Sequence, residues 1–92
     1  MYTAIHSKQF NKSFKKISKH KDFNGEILRK VIRELAQGKV LEPRHRDHAL
    51  KGDMSGIREC HIQNDILLMY RKEKDILILL LVDIGTHSEL FG

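Results

Sequence analysis

The stretch Ile57-Arg58-Glu59-Cys60-His61-Ile62 contains the first residues that could do chemistry. Side chains along a strand alternate between faces, so Glu59 and His61 share one face while Arg58, Cys60 and Ile62 share the other. With Cys60 and Ile62 turned inward, a carboxylate and an imidazole stand side by side on the outward face. The opposite assignment would bury a Glu–His pair, which is costly unless the two are paired. Asp65 lies just past the following turn, His48 and Lys51 lie in a basic segment upstream, and His87 follows the last apolar run. Histidines with carboxylates and nearby cations are the parts needed to cut RNA without a metal. A base takes the proton of a ribose 2′-hydroxyl, an acid protonates the departing 5′-oxygen, and a cation stabilises the phosphate in between. Imidazole suits the first two roles because its ordinary pKa, about 6.5, lies near working pH. Spacing alone does not bring these residues together. A surface histidine at the end of a chain, or an exposed Glu–His pair on a strand, accounts for each of them singly.

The elements that must position them can be read from apolar periodicity. Tyr2 to Ile5 reads as a short strand, edge or central, with Ser7 placed as a helix N-cap. Phe10, Phe14 and Ile17 mark one face of a first helix. Ile27, Leu28, Val31, Ile32 and Leu35 mark a second, capped by Asp22 or Asn24 and ended at Gly38. The short link between the two predicts an antiparallel helix hairpin. Leu41 to Gly56 holds the only proline and reads as a loop with a short strand near Ala49 and Leu50. Three strands follow, Ile57 to Ile62, Ile66 to Lys72 and Ile76 to Ile84, with tight turns at Gln63-Asn64-Asp65 and Glu73-Lys74. The expected fold is α+β, in the order β-α-α-β-β-β. Residues 1–92 form one domain, in which the helix pair covers one face of a mainly antiparallel sheet and leaves the other partly open.

The chain of 92 residues carries a formal charge of +5 with 40% hydrophobic residues. Six lysines from Lys8 to Lys21 precede the first acidic residue, Asp22. They make either a solvated helix face or a contact surface for an anionic partner such as nucleic acid or an acidic protein. One cysteine, Cys60, fits a reducing compartment and reads as a small buried hydrophobe. Ile76 to Val82 is too short to cross a bilayer and no signal peptide is visible, so the expected location is the cytoplasm. His45 and His48 are spaced as a metal pair would be, but lack further ligands nearby. His6 and His20 read as surface residues.

The segments Asp47-His48-Ala49-Leu50-Lys51-Gly52, Arg58-Glu59-Cys60-His61, Asp65-Ile66-Leu67-Leu68-Met69-Tyr70 and Gly85-Thr86-His87-Ser88-Glu89-Leu90-Phe91 occur in that order. Together they resemble the YafQ branch of the RelE-like toxins of bacterial type II toxin–antitoxin systems, and the resemblance spans the chain. It implies an endoribonuclease without metal or other cofactor, which cuts mRNA on the ribosome and is restrained by a cognate antitoxin. It further implies that His87 is the main general acid or base, with His61 as the second proton-transfer group or a phosphate contact. His48 and Asp65 would position RNA or tune the histidines, and Glu59 would belong to the site. Phe91 would be an aromatic platform for RNA, and Lys51 or Arg58 would stabilise charge. The sequence departs from some members at Ile66, where they carry a Trp able to stack on a base. ParE-like proteins, which bind DNA gyrase, share the fold but generally lack this histidine set. They are the competing class, together with RNA- or ribosome-binding modules that do not cleave.

Overall fold

A computed structural model describes residues 1–92. Five strands form one sheet in the order β1-β5-β4-β3-β2, where β1 is Thr3–His6, β2 His48–Ala49, β3 Arg58–Gln63, β4 Ile66–Glu73 and β5 Ile78–Thr86. β1 runs parallel to β5 at the sheet edge, and all other pairs are antiparallel. The first strand is therefore an edge strand, which settles the choice the sequence left open.

Two helices, α1 (Lys8–Ile17) and α2 (Gly25–Ala36), cover one face. Phe10 and Ile17 of α1, and Leu28, Val31 and Leu35 of α2, pack with Cys60, Ile62, Ile66, Leu68, Tyr70, Leu79, Leu81 and Ile84 of the sheet. Ser7 caps α1 by accepting from the Phe10 N–H at 2.9 Å, and its hydroxyl donates to the Val82 carbonyl at 2.7 Å. One serine thus starts the helix and ties it to the central part of the sheet. Asn24 caps α2 through the Glu26 N–H. Gln63, at the end of β3, donates to the Asp22 carbonyl at 2.7 Å and accepts from the Asn24 N–H at 2.6 Å, which pins the interhelical loop to the sheet.

Two local readings are corrected. The last strand starts at Ile78 rather than Ile76: Leu77 has φ +52° and Ile76 is 70% exposed. The second turn is accordingly the four residues Lys74 to Leu77, not a tight Glu73-Lys74 turn. The terminal segment, to which apolar periodicity assigns no element, forms a third helix, α3 (His87–Phe91).

The ladder also contains two irregularities that decide where side chains point. Met69 pairs with Asp83 but Tyr70 with Leu81, so Val82 is an extra residue in β5. Such a bulge shifts the alternation by one. It lets Leu79 and Leu81 face the helices while Ile84, an odd number of residues further on, does so as well. A second shift, between His61 and Gln63, leaves Ile62 as the extra residue in β3, with Cys60 and Ile62 keeping the two-residue alternation up to that point.

Candidate active site

The cross-strand register builds the site on the face away from the helices. His48 pairs with Glu59, Glu59 with Met69, and Met69 with Asp83. The next row is His61, Leu67 and Gly85. Paired residues project from the same face, so His48, Glu59 and His61 stand together, and the chain passes through Gly85 to His87. A cleft of about 460 Å³ results, lined by Arg46, His48, Leu50, Glu59, His61, His87 and Phe91.

The terminal helix is placed by several small contacts. A five-residue helix has no stability of its own. Thr86 and Glu89 form a reciprocal capping box, in which the Thr86 N–H donates to Glu89 Oε1 at 2.8 Å and the Glu89 N–H to Thr86 Oγ1 at 3.3 Å. Lys16 of α1 reaches Glu89 at 3.0 Å, and the His87 N–H lies 3.4 Å from Asp65 Oδ1. Beneath the helix lies Gly85. A Cβ at that position would sit 3.2 Å from Glu89 Oε1 and 3.6 Å from Leu90 Cδ2, so glycine permits the close approach. One helical turn then separates His87 from Phe91, and their ring centroids are 5.3 Å apart.

The Thr86 N–H and then the Lys16 ammonium hold the Glu89 carboxyl down at about 2. Its folded-state value lies below its ordinary one, so its contribution to docking α3 is complete above the ordinary carboxylate range and is lost as pH falls through the folded value. The Leu90 methyl NMR signals should therefore move toward unstructured positions as pH drops from about 4.5 to about 2. Glu89→Gln should abolish that transition; an unchanged transition would sever the link to Glu89.

Two histidines are fixed by carbonyl groups, which can only accept. His48 Nδ1–H donates to the Arg46 carbonyl at 2.6 Å, leaving Nε2 3.6 Å from Glu59 Oε1. His45 Nδ1–H donates to the His61 carbonyl at 2.6 Å. His45 is only 4% exposed. It braces the backbone of β3 where His61 projects, a role its spacing from His48 did not reveal. No group of three or more His, Cys, Asp or Glu side chains is placed to hold a metal ion. Replacing His45 with Ala should cost about 2–3 kcal/mol, from a buried hydrogen bond and reduced packing. Chemical denaturation would measure it, and a change below about 0.5 kcal/mol would contradict the bracing role.

The outward assignment of Glu59 and His61 holds, yet facing outward does not expose Glu59. It is 3% exposed, and its Oε2 has no hydrogen-bond partner. Two other expectations are corrected by placement. Arg58 lies on the helix-covered face, where its Nε donates to Asp47 Oδ1 at 3.3 Å and to Tyr70 Oη at 3.2 Å. Tyr70 in turn donates to Asp47 at 2.5 Å. Burial pushes the Tyr70 phenol up, and the bond to Asp47 adds to this, so it remains a neutral donor. Lys51 is exposed beside the 3-10 turn Gly52–Met54 and does not line the cleft. The cation that does is Arg46, which sequence reasoning missed because nothing in a loop sequence indicates that φ is +46° there. Asp65 touches the start of α3 through backbone rather than lining the cleft.

The chain is 33% identical to the mRNA interferase toxin YafQ of Escherichia coli K12 over 89 residues, 95% of this chain and 92% of that one. A metal-bound toxin from Helicobacter pylori superposes with a TM-score of 0.90 at 43% identity, over 99% of this chain and all of that one. YafQ in the E. coli DinJ–YafQ complex superposes with a TM-score of 0.87 at 27% identity, over the full length of both. Residues 2–92 match the family described as bacterial toxin of type II toxin–antitoxin system, YafQ. With that match, and with the sheet, helices and histidine cleft described above, the chain belongs to the YafQ family of type II toxins.

Proposed function

We propose that this chain arrests translation by cutting mRNA, as the name mRNA interferase states for its E. coli relative, and that it acts on the ribosome. The observation that carries the reading is the convergence of His48, His61, His87 and Phe91, from β2, β3 and α3, on one cleft. In the reaction the ribose 2′-oxygen bonds to the adjacent phosphorus as the bond from phosphorus to the 5′-oxygen breaks. A base removes the 2′-hydroxyl proton and an acid delivers one to the departing 5′-oxygen. The products are a 2′,3′-cyclic phosphate and a 5′-hydroxyl. His87 and His61 share the two proton transfers. Arg46 takes the charge-stabilising part, His48 is held toward Glu59, and Phe91 offers a ring face to a base. Asp65 steadies the start of α3.

An antitoxin partner, of the kind DinJ is to YafQ in the solved complex, restrains it in the cytoplasm. The chain's positive charge suits an acidic, partly disordered segment. The test is to map transcript 5′ ends after brief induction, with His87→Ala as control. New 5′-hydroxyl ends within coding sequences, absent in the control, are expected. DNA damage signalling without new RNA ends would move the chain to the gyrase-binding class, and salt-sensitive RNA binding without products to the non-cleaving one.

A further inference from the structure

At the end of the sheet where β3 begins and β4 finishes, a recess of about 620 Å³ opens beside the C-terminal end of α2. Lys39, Arg46, Arg58, Lys72 and Lys74 line it. Its two carboxylates are already engaged: Asp47 with Tyr70 and Arg58, and Glu42 with Lys30 at 3.8 Å and Arg44 at 3.4 Å. Lys39, Arg46, Lys72 and Lys74 make no ion pair with any carboxylate. Lys72 Nζ lies 4.9 Å from the centroid of the Tyr2 ring. Burial lowers its pKa, Arg58 and Lys74 push it the same way, and Asp47 alone opposes them. Cations crowded together without counter-charge favour an incoming anion.

Arg46 also belongs to the histidine cleft, and to a third depression that it shares with His61, His45 and Gln63. Three hollows therefore meet at one side chain. Its backbone is held in the left-handed region, a conformation that costs on the order of 1 kcal/mol and persists only where the surroundings fix it. Here its carbonyl is tied to His48.

We infer that the recess binds the phosphodiester backbone of the same RNA whose scissile step sits at the histidines, with Arg46 joining the two segments of one track. The inference rests on the RNA-cleaving reading above. A polynucleotide carries a charge at every residue, so a strand seated in the cleft meets further cations as it passes Arg46. A carboxylate of an acidic protein would suit the recess equally but has no need of its continuity with the cleft.

The probes are a trimer and a dodecamer of 2′-O-methyl RNA, which lack the attacking hydroxyl and are not cut. Their affinities are measured across a salt series for the full chain and for a Lys39→Gln, Lys72→Gln, Lys74→Gln variant. The wild type should bind the dodecamer more tightly than the trimer. In the variant the slope of log affinity against log salt for the dodecamer should shrink by about 0.7 for each phosphate that is no longer neutralised, while trimer binding stays unchanged. If the triple variant has a lower Tm, Lys39→Gln with Lys74→Gln, both at exposed positions, serves instead. An unchanged dodecamer slope overturns the inference while leaving the cleavage reading intact. So does a variant that keeps its RNA affinity and binds only an acidic antitoxin less tightly. Failure of the wild type to bind either probe overturns this inference, while the cleavage reading, which places the reaction on the ribosome, stands or falls on the transcript 5′ ends.

Discussion

Substituting His87 with Ala should lower the RNA cleavage rate by roughly 10²–10⁴-fold, the usual worth of a positioned general acid or base, while leaving the fold in place. His87 is exposed, and its ring touches Phe91 rather than the core. Its N–H, which meets Asp65, survives the substitution. The stability change should therefore stay within about 0.5 kcal/mol. The loss should appear in kcat more than in KM, because proton transfer is felt only in the transition state. If purified His87→Ala protein cuts at the wild-type rate, the proton-transfer role passes to His61 or His48. His61→Ala should show a loss of the same order, and the double variant should lose far less than the product of the two, because the residues act as a unit.

The second large effect is expected at a residue with no side chain. Gly85→Val introduces atoms where even a Cβ would lie 3.2 Å from Glu89 Oε1 and 3.4 Å from Glu89 Cβ. Overpacking of this kind costs about 1–3 kcal/mol. Here the strain is relieved most easily by lifting α3, since the alternative is to distort the paired strands β4 and β5. Activity should fall by roughly 5- to 150-fold, which is that energy expressed as a population ratio. Unfolding of the sheet should change less. Increased hydrogen exchange confined to residues 86–92 would locate the damage. Lost activity with α3 fully protected would mean that Gly85 acts in some other way, such as by letting a ligand approach the backbone.

The order and type of the main elements could be read from the sequence because local pattern and tertiary fold agree. Phe10, Phe14 and Ile17 keep helical spacing, and Cys60 and Ile62 keep strand spacing, so burying them requires the elements they mark. The outward direction of His61 followed from the same alternation. Helix capping also reads true at Ser7 and Asn24, each a side chain that satisfies the first turn of the helix after it.

Only the tertiary structure decided the rest. The Val82 bulge has no sequence signature, because the run from Ile76 to Val82 is apolar whichever way each residue points. That bulge nevertheless sets the face on which Gly85 and His87 emerge. Glu59 was placed on the correct face but not recognised as buried, since burial depends on Met69 and His48 pressing in from neighbouring strands. Arg46 took the place in the cleft expected of Lys51 and Arg58 because its φ is set by the loop's packing and not by its own preference. By itself, the sequence determined which groups are available: three histidines, a carboxylate pair and a terminal aromatic in a fixed order. The meeting of the three histidines, Glu59 and Phe91 in one cleft depended on register, a bulge and a five-residue helix held by Glu89 and Lys16, because contacts between distant residues arise from packing that no local spacing encodes.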